Sequence, residues 1–427
     1  MLWPSLAALI HSGGGWSRAN LAYSFPTSAG DYTDYGSAQT EPASFEALNA
    51  QQQAVARQVF SGVANFTDIG FSEAVTNRSA ADLRIGLTND AGGTAHAYLP
   101  GPSAGGDIWL SRGSTYASPV VGSYAYATFL HEIGHALGLK HGHEAPPLSY
   151  EHDSTEYSVM TYRSYPGAPL DGYRNESFGY PQTYMMFDIA ALQELYGADF
   201  TLNSGDSTYA WSAMNGQMSI NGVGQGGAGA NRVFMTIWDG GGNDTYDLSN
   251  YGNAVTIDLR PGEWTITSAV QLANLGNGHI ARGNVANALL YYGDERSLIE
   301  NGIGGSAGDT LIANQGANRL TGNGGADTFR WTAASHSSPA EADTIMDFQS
   351  GSDRIDLSFL DADSRSQADD SFRWIGSGAF SGSAGELRGQ TIDGSLHIFA
   401  DVNGDALADF ELVLAGRTIV AASDFIF

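Results

Sequence analysis

Tyr126, Phe129, Leu130, Ile133 and Leu137 recur at steps of three and four residues, a spacing that predicts an amphipathic helix. Phe45, Leu48, Val55, Val59 and Val63 keep the same register behind Ser44, a candidate N-cap, with Gln52 interrupting the stripe. Leu83, Ile85 and Leu87 alternate as in a half-buried strand, as do Ile108 and Leu110, and residues 95–99 precede Pro100 as a candidate edge strand. Residues 1–197 therefore read as an α+β domain, a mixed sheet with long helices. From residue 198 to 427 glycine, Asn and Asp become dense, helical periodicity fades and short β-like runs take over, which predicts a second, all-β domain.

The first of these helices carries chemistry. His131-Glu132-Ile133-Gly134-His135-Ala136-Leu137-Gly138-Leu139-Lys140-His141 reads H-E-x-x-H-x-x-G-x-x-H. His131 and His135 fall one turn apart on one helix face, where both imidazoles reach a common metal ion. Gly138 permits the left-handed conformation that ends a helix, so that the chain turns back and delivers His141 as a third ligand. Three neutral histidines leave one tetrahedral position of a zinc ion free for water, the arrangement of a catalytic rather than a structural site. Glu132 is placed to take the proton of that water as it attacks a peptide carbonyl, and to pass it to the leaving amine. Lys140, the single lysine of the chain, reads as a solvated residue near a helix C-terminus.

Ser158-Val159-Met160-Thr161-Tyr162 follows downstream of the third histidine. The elongated zinc motif together with a later Met resembles the metzincin proteases. Residues 21–26, 188–198, 205–209 and 422–427 extend the likeness, over nearly the whole chain, to the serralysins. That resemblance implies a zinc endopeptidase in which Met160 forms a hydrophobic floor under the metal. It also implies that Tyr162 is a weak extra ligand that swings away to stabilise the oxyanion, and that the edge strand pairs with extended substrate. One departure stands out: many serralysins have Pro after the third histidine, whereas Gly142-His143-Glu144 follows here, so the loop over 142–157 puts specificity in question. His96, His143 and His152 read as exposed residues without ligand spacing.

Three nine-residue units, 304–312, 313–321 and 322–330, sit in register in the second domain. Their sixth positions are Asp309, Asn318 and Asp327 and their eighth are Leu311, Leu320 and Phe329, which resembles the G-G-x-G-x-D-x-U-x repeat of calcium-binding β-rolls. An earlier unit, with Asp239 and Asp244, fits the template out of phase. Because Ala307 replaces a glycine and Asn318 a carboxylate, the reading is a short β-roll and sandwich holding fewer calcium ions than typical relatives, with Asp239, Asp244, Asp309 and Asp327 as candidate ligands. The Asp401-Val402-Asn403-Gly404-Asp405 stretch lacks the downstream Glu of an EF-hand loop and reads as a plain turn.

A length of 427 residues suits two domains. The net charge of −27 argues against nucleic acid or an anionic membrane as partner. The absence of cysteine excludes disulfides and thiol catalysis. Residues 1–10 are apolar but short, contain Pro4 and lack a basic start, so they are not read as a signal peptide. The expectation is a secreted, monomeric zinc endopeptidase acting on protein or peptide substrates. The resemblance further implies export by type I secretion machinery through a C-terminal signal, and a proteinaceous inhibitor as partner. Two alternatives stand beside it: a calcium-binding adhesion protein with an inactive protease-like domain, and a processing peptidase of narrow specificity.

Overall fold

The computed structural model describes residues 10–36 and 39–427; of the apolar stretch 1–10 read above, residues 1–9 lie outside them. The first half is built on a five-stranded sheet in the order β2-β1-β3-β5-β4, from β1 (Asn20–Ser24), β2 (Gly70–Glu73), β3 (Leu83–Thr88), β4 (Ala95–Ala97) and β5 (Ile108–Ser111). β1, β2, β3 and β5 run parallel, and β4 lies antiparallel to β5 on the outer edge, where the pattern before Pro100 placed it.

β3 departs from the expectation of a half-buried strand, because all six of its residues are buried. Leu83, Ile85 and Leu87 enter the core, while Arg84 on the other face is covered by a two-pronged pair with Asp107, with both N···O distances 2.8 Å. A buried cation is tolerable only with such a partner.

The stripe behind Ser44 also folds differently. The helix runs Ala50–Ala64 and its cap is Asn49, whose side chain accepts from the Gln52 backbone N–H at 2.9 Å while the Gln52 side-chain Oε1 accepts from the Asn49 N–H at 2.7 Å. Gln52, read as an interruption, is the reciprocal half of a capping box, and its amide donates to the Tyr116 carbonyl. Ser44 instead ends a short 3-10 turn, Glu41–Ser44.

The helix bearing the histidines spans Tyr124–Ala136 and is capped by Ser123. A third helix, Met186–Tyr196, has Asp188 in its first turn and stops at Gly197 (φ 84°). These helices and the sheet enclose one core, which continues past residue 198: Phe234, Trp238, Trp264, Leu275 and Leu289 belong to it.

The second half is a roll of two parallel sheets. Strands Asn301–Ile303, Arg319–Thr321 and Asp343–Ile345 stack in one, and Thr310–Ile312, Thr328–Arg330 and Arg354–Asp356 in the other. Each nine-residue unit supplies one strand, alternately to either sheet. Leu311, Leu320 and Phe329 are fully buried between the two, as their eighth positions predict. The out-of-phase unit joins the same stack, since Thr245–Asp247 pairs directly with Asn301–Ile303. A hairpin of Glu386–Ile392 and Ser395–Asp401, followed by Phe410–Leu414, continues the first sheet in antiparallel fashion. Asp401 accepts from the backbone N–H groups of Asn403, Gly404 and Ala406, as a plain Asx turn does.

Candidate metal centre and active site

Gly138 adopts φ 104° and turns the chain back after the helix; a Cβ there would lie 2.7 Å from the Gly14 carbonyl oxygen. The turn brings His141 alongside His131 and His135. Nε2 of His135 lies 3.1 Å from that of His131 and 3.0 Å from that of His141. Each Nδ1 faces an acceptor: the Val159 carbonyl for His131 (2.8 Å), the Leu139 carbonyl for His135 (2.9 Å) and the Glu144 carboxylate for His141 (2.8 Å). A carbonyl or carboxylate oxygen requires the proton on Nδ1, so the neutral rings point three Nε2 lone pairs at one spot. Burial holds the pKa of His131 well below the usual histidine range and that of His135 at about 4, which keeps both neutral. Three converging lone pairs repel one another unless a cation lies between them. Ligands about 2.0–2.1 Å from a tetrahedral zinc sit about 3.3 Å apart, close to the spacing found. The donor set fits zinc. It is also the one such grouping of three among the described residues.

Glu132 is 5 % exposed, and its Oε2 has no hydrogen-bond partner among the described residues. Burial pushes its carboxyl up to about 8. A dication alongside draws that proton affinity back down. Met160 is fully buried, and its sulfur would lie 2.7 Å from a Cβ placed on Gly134 of the zinc helix. Tyr162 is half-buried, its ring centroid 4.5 Å from that of His141, and burial followed by the Glu132 charge raises its pKa.

Three of the histidines and the lysine read as exposed turn out to be partly covered. His143 is half-buried, stacked on His141 (5.2 Å between centroids) and beside Tyr162 (5.1 Å). His152 bonds Ser149 and packs against Tyr157, and His96 on β4 lies 3.0 Å from Glu41. Lys140 donates to the carbonyls of Glu144 and Pro146, tying the loop to the helix end.

Residues without a motif support the centre. Asp188, fully buried, accepts from the Ser158 hydroxyl (2.6 Å) and from the Val159 (2.8 Å) and Met185 (2.9 Å) N–H groups, fixing the turn whose Val159 carbonyl orients His131. Asp153 pairs with Arg163 at 2.8 Å and accepts from the Thr161 hydroxyl, bracing the residues on either side of Tyr162. For Glu144 the signal was present, a carboxylate three residues after a ligand; for Asp188 and Asp153 the partners are too distant in sequence to announce themselves.

The four acidic candidates of the roll fall in two places. Asp309 accepts from the Val255 and Gly305 N–H groups and donates its own to Asp327. Asp239 and Asp244 sit together at the start of the other sheet, where Asp244 accepts from the Ser207 N–H and its buried Oδ2 has no hydrogen-bond partner among the described residues. Burial, followed by the Asp239 charge, pushes Asp244 up to about 8.

Two histidines on a helix, a third delivered by the turn after it, an adjacent carboxylate and an antiparallel edge strand define a zinc peptidase of the metzincin kind. Comparison with known proteins narrows this. A family profile described as Peptidase M10 serralysin C terminal matches residues 198–427, and one described as Matrixin matches 16–159. Metallopeptidase AprA of Pseudomonas marginalis is 32 % identical, covering 95 % of this chain and 86 % of its own. Serralysin C of Dickeya chrysanthemi is 32 % identical over 96 % of this chain and 85 % of its own, and a serralysin of Photorhabdus luminescens 30 % over 90 % and 80 %. The chain belongs to the serralysin family, and it is a secreted, zinc-dependent endopeptidase. Among the described residues no helix is long and apolar enough to cross a membrane.

Proposed function

We propose that residues 1–197 cleave internal peptide bonds of polypeptides laid along β4, with His131, His135 and His141 holding one zinc ion, Glu132 as general base and residues 198–427 as the supporting roll. The convergence of three Nε2 lone pairs carries this reading. When bound, zinc supplies a Lewis acid that acidifies water and polarises the scissile carbonyl. Glu132 takes the proton of the attacking water on its free Oε2 and returns it to the leaving amine. Tyr162 donates its hydroxyl to the developing oxyanion. Met160 and the Val159 carbonyl hold the histidines in place, so that no reorganisation is needed during the reaction.

Removal of the metal with 1,10-phenanthroline should abolish hydrolysis of casein, and stoichiometric zinc should restore it. A calcium-binding adhesion protein with an inactive protease-like domain would cleave nothing in either state. Profiling against a peptide library separates broad digestion, with many products, from processing at one favoured site.

In the roll, Asp239 and Asp244, and separately Asp309 and Asp327, are read as calcium ligands completed by backbone carbonyls. The unpartnered Asp244 Oδ2 supports the first pair. Export through type I machinery by a C-terminal signal, and restraint by a proteinaceous inhibitor, belong to the same reading.

A further inference from the structure

Behind the zinc helix, a cleft of about 500 Å³ lies between the two halves of the chain. One wall consists of Val59 and Gly62 from the helix Ala50–Ala64 and of Tyr126 and Leu130 from the zinc helix. Met235 and Trp238 from the second half form the opposite wall. Met218, Ile220 and Gln225 close a third side; they belong to an edge hairpin and the exposed, glycine-rich segment after it. None of the zinc-facing residues lines the cleft.

Two features set its chemistry. The chain carries a net charge of −27, with 46 acidic residues, yet among the described residues no charged side chain lines this cleft. The ionic surface stops at its mouth, which disfavours a charged occupant of either sign. Tyr126, 3 % exposed, presents a hydroxyl with no hydrogen-bond partner among the described residues, and burial alone raises its pKa, so that it stays a neutral donor. A buried tyrosine ordinarily finds a partner for that proton. The space is open at the glycine as well, because a Cβ added at Gly62 would meet nothing within 4 Å.

We propose that this cleft binds an uncharged, mainly apolar small molecule bearing one hydrogen-bond acceptor, which the Tyr126 hydroxyl recognises. Its size is that of an ordinary ligand pocket. Since the walls come from both halves of the chain, an occupant holds them together and stabilises the native protein by mass action.

The test uses the full-length protein and prodan, an uncharged aromatic ketone whose fluorescence responds to apolar surroundings. Prodan should bind saturably, one per chain, and raise the Tm. The anionic naphthalene probe 1-anilinonaphthalene-8-sulfonate should bind at least tenfold more weakly. Gly62→Trp should fill the cleft and weaken prodan binding at least tenfold, Gly62→Ala should leave it unchanged, and Tyr126→Phe should weaken it severalfold. Retained casein hydrolysis shows that Gly62→Trp is folded. Should that variant misfold, Ala228→Trp, on the exposed segment across the cleft, makes the same block. Unsaturable prodan binding, equal binding of the sulfonate, or full binding by a folded blocking variant would overturn the proposal.

Discussion

Each zinc-facing histidine has its second nitrogen committed to an acceptor of a different kind: the methionine turn, the helix end or the loop carboxylate Glu144. Those contacts decide the tautomer before any metal arrives. Tyr162 differs, because its hydroxyl makes no hydrogen bond among the described residues and is open to substrate. Tyr162→Phe should therefore lower kcat on a peptide substrate by about 10²-fold, the cost of one oxyanion donor, with KM little changed and zinc retained; stopped-time kinetics with metal analysis check this. The acid limb follows from burial. Below the ordinary histidine pKa of 6.5 the unfolded chain takes up protons that the folded His131 and His135 refuse, so folded stability falls as pH drops towards about 4. Zinc should stay bound to about pH 5 and be lost as pH 4 is approached, since only neutral imidazole ligates. Dialysis at stepped pH with zinc quantification follows it.

At the scale of elements, the zinc helix and the methionine turn act as one unit, joined at Gly134. A methyl group there would lie 2.7 Å from the Met160 sulfur. Gly134→Ala should destabilise the fold by about 1–3 kcal/mol through overpacking, despite the better helix propensity of alanine; thermal unfolding measures it. The helix itself was legible in the sequence because its ligands are spaced by a local rule, one turn apart, and because the turn at Gly138 follows from one residue type. The nonapeptide stack was legible for the same reason, each unit repeating a single strand and turn. Three of the departures share one physical cause, a polar residue with a partner remote in the chain. Gln52 broke an apolar stripe on paper because its partner, the Tyr116 carbonyl, lies far along the chain. Arg84 looked like the solvent face of β3 until Asp107 covered it. Asp188 stood in a segment already likened to the serralysins, yet its grip on Val159 is a tertiary contact that no spacing reveals.

Across the whole molecule, composition changes at residue 198 more abruptly than packing does. Phe234, Trp238 and Trp264 from the second half are buried in the core of the first. Their loss would expose large apolar surface at about 25 cal/mol per Å². A chain ended at residue 197 should accordingly unfold without cooperativity and show no casein hydrolysis, as circular dichroism and activity assays would reveal. Arg232 and Glu176 add a two-pronged ion pair across the same seam, with N···O distances of 2.6 and 3.1 Å. The roll is thus a structural partner of the catalytic half as well as an appendage of it.

The measurement that bears most directly on the central claim is casein hydrolysis by the wild type and by Glu132→Ala, each with its zinc content determined. The expected result is one zinc per chain in both proteins, with the variant slowed at least 10²-fold, the contribution of a positioned general base. A wild type that binds no zinc, or a zinc-loaded Glu132→Ala that cleaves at the wild-type rate, would contradict it.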